Sequence, residues 1–294
     1  MSIDSSFTPD FSGLWVPLVT PFEGDAVDHA ALRALVRRLV PAGIAGTVVC
    51  GSTGEAAALD EREQMAALAT VAGAAPELPR VMGISGYHLG QTLEWVRHLN
   101  REPLAGLLVP PPHYIRPSQQ GLVDWFTAIA DASTAPVLVY DIPYRTGATL
   151  ERATLLALAA HPNIVGVKDC SGDADKVRTL IADGRLQVLA GEDAQIFSTV
   201  AEGGVGAIAA SGHLQTARFV DVIQRLREGR LAEARSLWQP LLPLIECLFA
   251  EPNPAPIKAA LALEGLMGDA LRAPMTGASE SMRVRLHALL AALA

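Results

Sequence analysis

Short, strand-like apolar runs alternate with stretches of helical periodicity through most of the chain. The runs cover 14–19, 46–50, 80–84, 106–109, 136–140, 164–168, 187–190 and 205–209. Between and after them, apolar residues recur at helical spacing over 28–40, 60–74, 90–100, 117–133, 150–161, 173–183, 193–202 and 215–227. Several of these helices open on a capping type of side chain, such as Asp28, Asp60, Ser118 after Pro117, and Asp193. Strands alternating with helices imply βαβ units and a parallel sheet, and eight such units are what a closed (β/α)8 barrel requires. The pattern changes at residue 231, where helices are predicted over 231–248, 255–264 and 279–293 with no strand between them. The expected division is therefore an α/β barrel over 1–230 and a helical appendage over 231–294.

A length of 294 residues suits such a barrel, and a chain that is 50% hydrophobic but only 5% aromatic must fill its core with aliphatic side chains. A net charge of −8 without a basic cluster argues against a nucleic-acid partner. The first twenty residues hold no lysine or arginine, unlike the start of a secretory leader. Pro240 and Pro243 interrupt the longest apolar stretch, so no membrane span is expected. Cys50, Cys170 and Cys247 are far apart, odd in number and in no CxxC arrangement, which fits free thiols in a cytoplasmic protein.

In a barrel of this kind the chemistry sits where strands end and βα loops begin. Lys168 closes the sixth run, and an amine desolvated at a strand end can attack a carbonyl to form a Schiff base. Gly166, two residues earlier on the same face, is expected to leave room beneath it. The alternative is a lysine that only snorkels into water. Gly51-Ser52-Thr53-Gly54 follows the second run; its amides and hydroxyls could hold a small carboxylate, or merely make a capped turn. Tyr140 ends the fifth run as a proton relay or a core tyrosine, and Arg145 in the next loop can clamp a carboxylate or lie in solvent. Gly204-Val205-Gly206 imitates a dinucleotide fingerprint, but it follows a helix and leads into a strand, the wrong order for that fold. No histidine spacing suits zinc, and Cys170 is expected to be a passive small residue.

Together these residues resemble the pyruvate-dependent class I lyases, the family that contains dihydrodipicolinate synthase and N-acetylneuraminate lyase. The resemblance runs from about Gly13 to the C-terminus. It is carried by Val19-Thr20-Pro21-Phe22, Gly51-Ser52-Thr53-Gly54-Glu55, Tyr114 with Arg116-Pro117-Ser118-Gln119, Tyr140, Arg145-Thr146-Gly147, Gly166-Val167-Lys168, Gly191-Glu192-Asp193 and Glu251-Pro252-Asn253-Pro254. It implies a Schiff base between Lys168 and pyruvate and no other cofactor. Ser52 and Thr53 would hold the keto-acid carboxylate, with Gly191 and Ile208 as further substrate contacts. Tyr140 would move protons, linked through Thr53 to Tyr114 of a neighbouring subunit in a dimer or tetramer. Arg145 would bind the carboxylate of aspartate semialdehyde, the second substrate of the synthase branch; a related aldolase or dehydratase of 2-keto-3-deoxy acids is the alternative. Three departures bear on that choice: Asp141 stands where asparagine is usual, Ile115 where a polar residue is common, and Gly51-Ser52 is the lyase-like spelling. Lysine-inhibited members would place their effector at positions matching Glu61, Gln64, Tyr87, Gln91 and His113. Gln91 replaces the carboxylate expected to pair with the effector's ammonium, so insensitivity to lysine is expected.

Overall fold

The computed structural model describes residues 9–293. Among them eight parallel strands close a barrel: β1 (Gly13–Pro17), β2 (Gly46–Val49), β3 (Arg80–Gly83), β4 (Gly106–Val109), β5 (Val137–Asp141), β6 (Ile164–Asp169), β7 (Gln187–Ala190) and β8 (Gly206–Ile208). Each pairs with its sequence neighbours, and β8 returns to β1. Helices α1 (His29–Leu39), α2 (Glu61–Ala74), α3 (Leu89–Leu99), α4 (Gln119–Ala132), α5 (Arg152–Leu158), α6 (Ala174–Asp183), α7 (Ile196–Ala201) and α8 (Thr216–Arg227) form the outer layer. Strand alternation sorts the core into two parts. Phe11, Trp15, Val48, Val81, Leu108, Leu138, Tyr140, Leu189 and Ile208 fill the interior, while the other face of each strand packs under the helices.

Local chemistry fixes where the helices begin. The Asp28 carboxylate accepts from the amides of Ala30 and Ala31 at 3.0 and 2.9 Å. Asp60 and Glu63 form a reciprocal capping box, and Ser118 caps α4. Asp193, expected to cap α7, does not. Its carboxylate accepts from the amides of Ala210 and Ser211, the latter at 2.5 Å, which ties the ends of β7 and β8 together instead.

Two further differences have simple causes. The single helix expected over 231–248 is broken into α9 (Leu231–Trp238) and α10 (Leu242–Leu248), because Pro240 and Pro243 cannot donate to the preceding turn. A small hairpin pairs Phe22–Glu23 with Ala26–Val27, two-residue strands too short for periodicity to reveal. Then come α11 (Ala255–Leu263) and α12 (Glu280–Leu293), with α9 packed on α8 and α12 on α11. No helix among the described residues is long and apolar enough to cross a membrane.

Candidate active site

Register places the chemistry. Tyr140 on β5 is directly opposite Lys168 on β6, and their successors Asp141 and Asp169 are opposite each other one step on. Alternation then sends Tyr140 and Lys168 into the barrel mouth and both aspartates outward toward α6. Lys176 of α6 meets them there. Its Nζ lies 2.6 Å from Asp141 Oδ2 and donates to Leu150 O at 3.1 Å. The aspartate that departs from the usual asparagine thus arrives with its own buried counterion.

The chain has three lysines, Lys168, Lys176 and Lys258, and all are buried. Lys176 is paired with Asp141, and Lys258 with Glu55 at 2.5 Å. Lys168 has no carboxylate partner among the described residues, although it is only 5% exposed. Its Nζ stands 4.3 Å from the centre of the Tyr140 ring. Burial of a lysine without an ion pair is costly, and it leaves the amine's lone pair open to an electrophile once the proton is lost.

Burial is the main influence pushing the Tyr140 hydroxyl well above its ordinary pKa, and the Cys170 thiol beside it adds to this. The Ser52 hydroxyl and the nearby Arg145 guanidinium pull the other way. The phenol therefore stays protonated and can donate. Ser52, rather than Thr53, is the hydroxyl at Tyr140. The Thr53 hydroxyl instead accepts from Asn253 Nδ2 at 3.0 Å. Consecutive residues of a tight turn point in different directions, which spelling alone does not reveal. The amides of Ser52 and Thr53 donate to no protein acceptor among the described residues, whereas those of Gly54 and Glu55 turn back to Gly51 and Ser52.

Ser52, Thr53, Tyr140, Arg145, Lys168 and Gly191 line one inner cleft, with Tyr144, Glu192 and Asn253 also on its wall. Gly191 is required there: a Cβ would come within 2.8 Å of Lys168 Cγ. Gly166 does not do what was expected of it. A Cβ there would fall 2.7 Å from Leu138 Cδ2 and 2.8 Å from Gln187 O, so it allows close strand packing and leaves no space under the amine. Ile208 belongs to the interior cluster with Tyr140 and Leu189 rather than to the cleft wall. Cys170 is buried, and its thiol is pushed well above its ordinary value, as suits a passive group. Tyr114 is not in its own chain's cleft; it is 91% exposed and held at φ 68°. An outer cavity of about 380 Å³ opens beside the cleft and shares Ser52, Tyr140, Arg145 and Asn253 with it.

The sequence profile of the dihydrodipicolinate synthetase family matches residues 10–293. The chain belongs to that family. It is 35% identical over 282 residues to 4-hydroxy-tetrahydrodipicolinate synthase 2 of Clostridium acetobutylicum, covering 95% of this chain and 99% of the relative. It is 39% identical over 278 residues to the synthase of Sorangium cellulosum, covering 92% of each. The crystal structure of dihydrodipicolinate synthase from Thermotoga maritima superposes with a TM-score of 0.93 at 29% identity, covering 96% of this chain and 98% of that one. Glu192, from the Gly191-Glu192-Asp193 motif, and Asn253, from the Glu251-Pro252-Asn253-Pro254 motif, also reach the cleft wall.

Proposed function

We propose that this protein is a 4-hydroxy-tetrahydrodipicolinate synthase, a lyase that condenses pyruvate with L-aspartate 4-semialdehyde through a Schiff base on Lys168. The observation that carries the reading is Lys168 itself, the one buried lysine without a carboxylate, set against a protonated tyrosine at the barrel mouth. Its neutral amine would attack C2 of pyruvate, and Tyr140 would supply the proton that lets the carbinolamine oxygen leave as water. Loss of a C3 proton gives the enamine, whose C3 then forms the new C–C bond with the aldehyde carbon while the aldehyde oxygen takes up a proton. The substrate's own amino group then adds to C2 and expels the Lys168 amine, closing the ring. The free amides of Ser52 and Thr53 suit the pyruvate carboxylate, and Arg145, which has no ion-pair partner among the described residues, suits that of the semialdehyde. Tyr114, Tyr87 and Ile115 are exposed apolar side chains that would be covered in a homo-oligomer, where Tyr114 would approach a neighbour's cleft. A cytoplasmic location fits three free, buried cysteines.

A second reading is favoured by one feature. The outer cavity is walled largely by Ala56, Ala57, Ile84, Leu108, Pro274 and Met275, a lining suited to a bulkier, less polar acceptor than the semialdehyde. Two experiments decide between them. Borohydride added with pyruvate should fix one pyruvate-derived adduct per chain at Lys168, with none in Lys168→Ala; an unmodified mass at saturating pyruvate rejects both readings. A panel of aldehydes should show aspartate semialdehyde preferred, and preference for an apolar aldehyde establishes the second reading.

A further inference from the structure

Asn253 lies in the segment joining α10 to α11, in the helical appendage, yet its side chain ends inside the cleft. We propose that Asn253 is a positioning residue, fixing the Thr53 hydroxyl so that its proton points at the keto-acid carboxylate; this rests on the pyruvate reading above. An amide N–H can only donate, so with Asn253 Nδ2 at 3.0 Å the Thr53 Oγ1 is the acceptor and its own proton is left for another group. Thr53 Oγ1 makes no other hydrogen bond among the described residues, and Thr53 is buried on the cleft wall. The Asn253 Oδ1 is buried without a partner. The opposite amide orientation would place that oxygen at Thr53 and draw the hydroxyl proton away from the substrate.

The contact is held from both sides. Glu55, two residues past Thr53, pairs with Lys258, five residues past Asn253, at 2.5 Å. Lys258 Nζ also donates to Ala270 O at 2.7 Å, and the Glu55 carboxylate accepts from the amide of Arg272 at 3.1 Å. Loop and appendage are therefore tied together, and the aim of the Thr53 hydroxyl is set from outside the barrel.

The pyruvate concentration giving half-maximal cyanoborohydride trapping isolates this effect from the second substrate. Asn253→Asp presents an acceptor to Thr53 and captures its proton, whereas Asn253→Ala leaves the hydroxyl free to rotate. At pH 8 the aspartate variant should need at least about tenfold more pyruvate than wild type, and the alanine variant only about threefold more. As pH falls the introduced carboxyl gains a proton it can donate, so the aspartate deficit relative to wild type should shrink while the alanine deficit stays constant. Equal deficits in the two variants, or an aspartate deficit that ignores pH, overturn the proposal. If the aspartate variant does not fold, a cycle decides: Asn253→Ala should raise the half-trapping concentration in the native chain and leave it unchanged in the Thr53→Val background. The same rise in both backgrounds overturns the proposal. A wild-type chain that takes no adduct overturns the pyruvate reading and this proposal with it; normal wild-type trapping with unaffected variants overturns this proposal alone.

Discussion

Among three buried lysines, burial by itself does not single one out; the missing counterion does. Lys176 and Lys258 are structural because a carboxylate offsets the desolvation of each. Arg145 is the complementary case, a guanidinium on the cleft wall that stands 5.7 Å from the centre of the Tyr144 ring. A free guanidinium is best explained by an anion that arrives with the substrate. Arg145→Ala should therefore leave pyruvate trapping nearly unchanged and lower kcat/KM for aspartate semialdehyde by about 2–3 kcal/mol, roughly 30- to 150-fold. Full condensation activity in that variant would remove the argument for a carboxylate-bearing second substrate. Lys168 and Arg145 could be picked out from the chain by their place after strand-like runs. The division of labour between Ser52 and Thr53 could not, because it depends on the torsions of one turn.

At the level of elements, the ends of β5 and β6 are joined on their outer side by Asp141, Asp169 and Lys176. One ammonium faces two carboxylates, and Asp169 bears the consequence: burial first, then repulsion by Asp141, raises its carboxyl to about 6. A carboxyl raised above its unfolded value of 3.8 binds its proton more tightly in the folded chain. Stability contributed by this group is therefore present below about pH 4 and lost as pH rises toward 6. Asp169→Asn keeps an oxygen for the Ser171 amide and removes that loss. Denaturant unfolding should show the variant nearly equal to wild type at about pH 4 and more stable by up to roughly 3 kcal/mol at pH 8. A difference independent of pH would show that the aspartate is fully compensated by Lys176. Sequence placed both aspartates one residue past the candidate catalytic side chains, but the helix that supplies their counterion could be known only after the units closed on one another.

The whole molecule carries a second cavity, of about 210 Å³, between α2 and α3. It gathers Glu61, Gln64, Tyr87 and Gln91, four of the five positions matched to the lysine site of regulated relatives, while His113 lies on the wall of the outer cavity instead. Glu61 is the only carboxylate lining it. An effector lysine brings two ammonium groups and one carboxylate, and a single carboxylate at the start of a helix compensates too little of their desolvation. Activity should change less than about twofold in millimolar lysine. Half-inhibition below that concentration would show that a subunit contact completes the site.

Hydrophobic periodicity alone determined the eight strand–helix units and so the closed barrel, because strand and helix periods are local properties of the chain. The motifs then fixed which rim residues to watch. Tertiary structure alone decided which buried lysine lacks a counterion, that Gly166 packs strands rather than opening space, and that Asn253 reaches Thr53 across 200 residues of sequence. Each of these is a contact between segments far apart in the chain, set by barrel closure and by the packing of the appendage, and no window of sequence contains both partners.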